Sequence, residues 1–316
     1  MNFQNLKKVE EPDFYINLAL SRAAKGGESA KEKTHGETVI SYQKRKEAKK
    51  LDTIKSILMD RLMEILVGFP SLDGLPEFYR ELITLSTDYA RIKKSLASIN
   101  WIVNKLRELT QLYNSKIARC EDLGKIHDYR NEYYGRVCSL LKRRKEDFRF
   151  LEETRRVMKD FPSIKTSVPT VCIFGFPNVG KTTLLYKLTG SKPEISNYSF
   201  TTKTINISYI KEAHRKLQVV DTPGTLNRFE KMNNIEKQAY LALKHCADSI
   251  VYVFDVTEPY PMEDQEKLFN SLKAFDKKIY IYVSKLDIID PKLLVGFKHK
   301  YLTLDEIKKE LKRLVK

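Results

Sequence analysis

The sequence predicts two domains, an N-terminal α-helical bundle over residues 1–165 and an α/β domain over 166–316. Two changes of pattern carry that reading. From about residue 50 to 160 apolar residues recur at three- and four-residue spacing, the period of a helix with one buried face. After Pro169 the pattern becomes short β-branched runs alternating with helical stretches, which argues a mostly parallel sheet flanked by helices. A chain of 316 residues is long enough to give each part its own core.

In chain order, Ile54, Ile57, Leu58, Leu62, Ile65 and Leu66 form a first apolar stripe, and Leu96, Ile99, Ile102, Val103, Leu106 and Leu109 a second. Arg and Lys occupy the opposite faces, so the stripes predict long antiparallel helices around one core. "GFPSLDGLP" at 68–76 is a turn, and Pro162 ends the last helix. "LKRRKEDFRF" at 141–150 reads as the exposed basic face of an amphipathic helix. Five apolar runs then predict strands: "VCIFGF", "INISYI", "LQVVD", "SIVYVFDV" and "KIYIYVSK".

The run "GFPNVGKTT" fits G-x-x-x-x-G-K-[ST], with an apolar strand before it and a helical run after it, the context that motif requires. Gly175, Pro177, Asn178, Val179 and Gly180 form the loop whose backbone N–H groups close around a β-phosphate. Lys181 bridges β- and γ-phosphates, Thr182 offers its hydroxyl to Mg²⁺, and Thr183 continues the helix start. Asp221 ends a second apolar strand and opens D-x-x-G with Gly224: the carboxylate reaches the Mg²⁺ shell, and the Gly224 N–H senses a γ-phosphate. Between them "NYSFTTKT" supplies a switch threonine for the metal, Thr202 first and Thr201 second. "SKLD" follows the last apolar run, and Asp287 there can accept two hydrogen bonds from guanine, a donor pair that adenine lacks. Lys285 can lay its stem on the base, while Ser284 stands where Asn would tie base to loop. Thr303 and Leu304 are a poor match to a closing guanine loop. Lys181, Thr202, Gly224 and Asn178 are the candidate catalytic set for a GTPase.

The net charge of +16 divides as +9 on residues 1–165 and +7 on 166–316, so either half could face a polyanion. Within the Gly-containing basic stretch 21–50, Lys44, Arg45, Lys46, Lys49 and Lys50 are the candidate contacts to RNA phosphates. The four cysteines are too scattered for a zinc site and too few for a disulfide framework, so they read as reduced thiols. With no apolar leader and no membrane-length apolar segment, the expectation is a cytoplasmic protein with no membrane partner.

Together these motifs resemble the Obg superfamily of translation-factor-class GTPases, and within it the nucleolar GTP-binding protein 1 family in its archaeal form. "GFPNVGKTTLL", "YSFTTK" and "DTPGTLNRFEKMNNIEKQAYLALKH" carry the likeness in the α/β half, and "LALSRAA", "LPEFYRELITL" and "FLEETRRVMKDFPSI" carry it through the helical half. The resemblance implies a Ras-like G domain with a mostly parallel six-stranded sheet behind a helical domain that binds the maturing large ribosomal subunit. GTP and GDP with Mg²⁺ are the implied ligands, and the precursor rRNA, with other assembly factors, the implied partners. Ser284 and the degraded closing loop depart from the family. Members of this class with a residue other than Gln after the D-x-x-G glycine hydrolyse slowly, and Thr225 stands there. Relatives with Asn at the position of Asn178 recruit K⁺, so K⁺ is a further implied cofactor. Two other readings stay open: a GTP/GDP-sensing rRNA clamp with little hydrolysis, and an Obg-like regulatory GTPase that binds a protein partner.

Overall fold

A computed structural model describes residues 3–28, 36–190, 194–195, 205–212, 215–222, 234–257, 261–288 and 294–314. The chain divides into two compact units. One comprises Gln4–Ser71 and Thr87–Lys159, the other Met1–Phe3, Leu72–Ser86 and Asp160–Lys316.

The first unit is built from α1 (Pro12–Glu28), α2 (Val39–Gly68), α4 (Tyr89–Arg119), α5 (Leu123–Lys142) and α6 (Lys145–Lys159). Thr38, Asp88 and Asp122 start α2, α4 and α5 by accepting backbone N–H groups that have no intrahelical partner. The buried stripe of α2 is Leu51, Ile54, Leu58, Leu62 and Ile65, and that of α4 includes Ile92, Ile99, Ile102, Val103, Leu106 and Tyr113. Ile57, Leu66 and Leu96, read from spacing as core, sit half-buried at the margins of these stripes. Helix α2 packs on α1, α4 and α5, and α4 packs on α5 and α6. The basic run 141–150 is not one helix. It breaks at Arg143–Arg144 between α5 and α6.

The second unit is α/β. Its sheet runs in the order β2-β3-β4-β1-β5-β6, with β1 (Thr170–Phe174), β3 (Asn206–Glu212), β4 (Arg215–Asp221), β5 (Ser249–Phe254) and β6 (Lys278–Val283) arising from the five apolar runs. The sixth strand, β2 (Glu194–Ile195), is two residues long, so five strands form the body of the sheet. Pairings β1–β4, β1–β5 and β5–β6 are parallel, and those of β3 with β2 and β4 are antiparallel. Beyond β6 the chain adds one backbone bond, from Leu302 N–H to the Ile281 carbonyl at 2.9 Å. Helices α7 (Lys181–Thr189), α8 (Asn234–His245), α9 (Met262–Leu272) and α10 (Leu304–Arg313) complete it.

Helix α3 (Glu77–Ser86) belongs to this second unit although its sequence lies within the helical half. Its buried face of Phe78, Tyr79, Leu82 and Ile83 packs toward α8. The Tyr79 hydroxyl contacts the carbonyls of Pro162 at 3.1 Å and Ile164 at 2.8 Å, and Phe3 lies edge-on to both Tyr79 and Phe161. Glu81 on α3 takes Lys244 at 2.9 Å and His245 at 3.1 Å from the end of α8. A boundary at residue 165 follows the sequence pattern, whereas these contacts place 72–86 and 160–165 with the sheet.

Candidate nucleotide-binding site

Parallel pairing of β1 with β4 and β5, and of β5 with β6, aligns the carboxyl ends of four strands. Outside that edge of an open α/β sheet is where ligands bind. The phosphate-type loop follows β1, Asp221 ends β4, Asp255 follows β5, and Ser284 to Asp287 follow β6. One side of the sheet thus gathers residues scattered over more than a hundred positions of sequence.

The loop 175–180 is held in a shape few residues tolerate. Gly175 has φ 152°, and a Cβ there would stand 2.7 Å from the Val253 carbonyl oxygen. Asn178 adopts the left-handed region at φ 61°, where Asn is among the better-tolerated side chains, and Gly180 does so at φ 89°. Phe176 and Val179 are buried and anchor the loop. Gly180 is the N-cap of α7 with no side-chain cap, which leaves the first N–H groups of the helix facing the loop. Lys181 is 6% exposed, and its ammonium donates to the carbonyls of Gly175 at 3.1 Å and Phe176 at 2.6 Å. The ammonium is therefore arched over the concavity of the loop.

Thr182 donates its hydroxyl hydrogen to Asp221 Oδ2 at 2.6 Å. Asn206, directly opposite Asp221 in the β3–β4 register, donates its amide to the same oxygen at 3.1 Å. Asp221 is 3% exposed, and its other oxygen, Oδ1, is buried with no hydrogen-bond partner among the described residues. Burial pushes the Asp221 carboxyl above its ordinary value, against the opposing pull of Thr182, Asn206 and the Lys181 charge. A buried carboxylate oxygen without a donor, beside a threonine hydroxyl, offers the oxygen ligands that a hard divalent cation takes. The residues fit Mg²⁺. Thr201, Thr202, Gly224 and Thr225 lie outside the described residues.

After β6, Asp287 is exposed and its carboxylate has no partner among the described residues. Ser284 is buried. Its hydroxyl donates to the Phe254 carbonyl at 3.2 Å, and its Cβ stands 3.6 Å from where a Cβ on Gly180 would be. It ties β6 to β5 beside the loop without reaching the loop itself. Lys285 sits at φ 58° and directs its ammonium to the buried Asp255 carboxylate at 2.5 Å. Asp255 also accepts the Thr257 N–H at 3.0 Å and hydroxyl at 2.6 Å, and Gln265 brackets its backbone with bonds of 3.0 and 2.7 Å. A carboxylate this deep demands a counter-charge, so the Lys285 head is committed to it while the stem remains half-exposed. Asp255, Gln265 and Asn206 escape sequence reasoning. Asn206 carries a signal only through its register with Asp221. Thr303 is the N-cap of α10 in a reciprocal capping box with Glu306, which gives that threonine a structural duty.

In the helical unit, Lys44 bonds Glu121 at 2.6 Å, Arg45 forks onto Glu37 at 3.0 and 3.1 Å, and Lys50 reaches the buried Glu47 at 3.1 Å. Lys46 lies over the Tyr42 ring, and Lys49 has an exposed ammonium with no partner among the described residues. The basic cluster read from sequence is thus partly neutralised. The cysteines are free, as expected, with Cys172 and Cys246 buried.

Residues 3–165 match the NOG1 N-terminal helical domain family, just over half of the chain. The chain belongs to the NOG1 family. Residues 170–285 match the 50S ribosome-binding GTPase family, so the NOG1-type helical part is followed by a GTPase-type α/β unit. The uncharacterized protein MJ1408 of Methanocaldococcus jannaschii is 35% identical over 292 residues, covering 91% of this chain and 81% of that protein. Nucleolar GTP-binding protein 1 of Drosophila melanogaster is 30% identical over 301 residues, covering 92% of this chain and 45% of that protein. The chain therefore spans most of MJ1408 but less than half of the eukaryotic NOG1 protein. Among solved structures, the G domain of the T. maritima FeoB iron transporter is 24% identical, covers 47% of this chain and 99% of that chain, and has a TM-score of 0.38.

Proposed function

We propose that this NOG1-family chain binds GTP and GDP and hydrolyses GTP slowly. In this reading it serves as an assembly factor of the large ribosomal subunit, with its helical unit docked on precursor rRNA. The observation that carries the nucleotide part is the group of Lys181, Thr182 and Asp221 around the loop 175–180, with an unpartnered buried oxygen on Asp221. The names of the matched relatives and of the 50S ribosome-binding GTPase family support the choice of nucleotide and of partner.

Loop N–H groups and Lys181 orient the β- and γ-phosphates; Thr182 and Asp221, joined by Thr202, would hold Mg²⁺, which would supply charge against the phosphate oxygens. Asp287 selects guanine by accepting its ring N–H and exocyclic amine. In this reading the Gly224 N–H and the Thr202 hydroxyl are the groups that sense a γ-phosphate and its metal. No Gln follows Gly224, so the attacking water is oriented by the partner particle, by backbone or by a K⁺ held at Asn178. The Asn178 side chain is exposed beside the loop. The same Thr225 favours a second reading, a GTP/GDP-sensing rRNA clamp with little turnover.

Co-sedimentation with precursors of the large subunit tests the assembly reading. The protein should enter the particle with a non-hydrolysable GTP analogue and leave it with GDP. Failure to bind large-subunit RNA in either nucleotide state contradicts the proposal. Single-turnover hydrolysis on the particle separates the two readings, since phosphate release at background leaves only the clamp. Equal turnover in K⁺ and Na⁺ at matched ionic strength removes K⁺ from the account.

A further inference from the structure

We infer that the α5–α6 junction and the adjoining face of α4 form a stacking surface for unpaired RNA, centred on Trp101 and Arg144. This rests on the reading that the helical unit binds RNA, and it moves the contact away from the Lys44–Lys50 cluster.

Three observations converge. Trp101 is 46% exposed, which for so large an aromatic ring means half of its surface contributes nothing to a core. The Arg144 guanidinium lies over that ring, 5.2 Å from its centroid, and Arg91 lies 4.2 Å over Phe150. Ser95 and Ser98 donate their hydroxyls to the Asp147 carboxylate at 2.9 and 2.7 Å, so the start of α6 is pinned to α4 and the junction carrying Arg143 and Arg144 is fixed beside Trp101.

Positions 91, 94, 98 and 101 fall on one face of α4 and span about 15 Å. Arg91, Lys94, Arg143 and Arg144 are exposed, and none has an acidic partner among the described residues. Neighbouring cations differ. Lys142 is held by Asp13, Lys145 and Arg149 by Glu11, and Arg155 and Arg156 by Glu152. The Lys44–Lys50 cluster is likewise mostly paired. Uncompensated positive charge therefore gathers where a planar ring and planar guanidinium groups are also exposed.

That combination selects the ligand. Phosphates meet the cations, and a base meets the face of Trp101 or the Arg144 plane, as in single-strand recognition. A duplex keeps its base faces stacked inside and presents only phosphate and sugar. An acidic protein surface would satisfy the cations but leave the ring unused.

Trp101 is the single tryptophan of the chain, so its emission reports this surface alone. The test titrates the full chain, selectively exciting tryptophan, with a single-stranded RNA of about twelve nucleotides, the same sequence as a duplex, and heparin. The expected result is quenching by the single strand and none by heparin. Trp101→Ala and the double change Arg143→Ala with Arg144→Ala should each weaken single-strand binding about tenfold. Lys44→Ala with Arg45→Ala should change it less than about twofold. Trp101 is exposed, so its replacement leaves the core intact, and Trp101→Phe should recover part of the affinity. RNA binding with unchanged emission and undiminished affinity in these variants overturns the surface while leaving RNA binding standing. No binding to any RNA overturns the surface together with the RNA reading of the helical unit. Equal quenching by heparin, or equal affinity for the duplex, reduces the surface to a polyanion patch and overturns the stacking claim.

Discussion

Replacing Asp221 by Asn should stabilise the metal-free protein and at the same time abolish its response to Mg²⁺ and nucleotide. The Asp221 carboxylate is 3% exposed, and only one of its oxygens has donors, Thr182 and Asn206. An amide oxygen keeps both of those bonds, while the net charge and the orphaned Oδ1 disappear. An unsatisfied buried acceptor costs about 1–3 kcal/mol. The amide nitrogen is itself a buried donor without an acceptor there, so the gain comes from removing the buried charge, and we expect about 1–2 kcal/mol net at pH 7. For a unit of this size that corresponds to roughly 2–8 °C in the midpoint of its thermal transition. The sign with pH follows from the raised carboxyl. A group whose pKa rises on folding takes up a proton on folding, so its penalty is absent below about pH 3.9. The penalty grows as pH climbs toward the raised folded value and is complete above it. The advantage of Asp221→Asn should therefore vanish in acid and be full at neutrality. The assay is calorimetry with chelator at several pH values, following the transition that nucleotide shifts, repeated with Mg²⁺ and GTP. A variant less stable than the parent at pH 7 in chelator, or one that keeps the full Mg²⁺-GTP shift, would refute the assignment of Asp221.

The other expectations are simpler. Gly175→Ala places a methyl 2.7 Å from the Val253 carbonyl oxygen, so it should lower the stability of the α/β unit by about 1–3 kcal/mol and remove nucleotide binding, both read by nucleotide-dependent melting. Ser284→Asn restores an amide beside Gly180 and should tighten guanine nucleotide about tenfold, one hydrogen bond's worth, by equilibrium titration. Although burial alone would raise the Glu152 carboxyl, Arg155, the Val9 N–H and Arg156 together bring it down to about 2. A depressed carboxyl contributes stability above about pH 4.3 and loses it as pH falls toward its folded value. The helical unit should weaken across that window, with Trp101 emission as the probe, and Glu152→Gln should flatten the profile.

Local signals account for much of the fold and for half of the site. The runs of β1, β4 and β5 were legible because a strand buried on both faces reads as a continuous apolar stretch, and those of β3 and β6, only partly covered, because they are rich in β-branched and aromatic residues. The loop 175–183 was legible because it needs glycine, lysine and a hydroxyl at fixed spacing within one turn of chain. What depends on distant partners was not legible. Helix α3 has an apolar face like its neighbours, and only tertiary contacts, Tyr79 to Pro162 and Ile164 and Glu81 to Lys244 and His245 among them, place it with the sheet. Asn206 and Asp255 matter through register and burial, which no spacing rule encodes. Charge counting made Lys44 and Arg45 candidate RNA contacts; Glu121 reaches Lys44 through the tertiary fold, and Glu37, just ahead of the same helix, takes Arg45. The break at Arg143–Arg144 lies inside a run whose helical period continues on both sides, so the period hid it.

The most direct test of a guanine-specific site on this chain is the affinity for GTP against ATP, each with Mg²⁺, in the parent and in Asp287→Asn. Two hydrogen bonds to Asp287 predict GTP binding at least about a hundredfold tighter than ATP. Asp287→Asn should erase that preference and favour xanthosine triphosphate, whose C2 carbonyl oxygen accepts from the amide N–H. Equal affinity for GTP and ATP in the parent, or an unchanged preference in Asp287→Asn, would contradict the account.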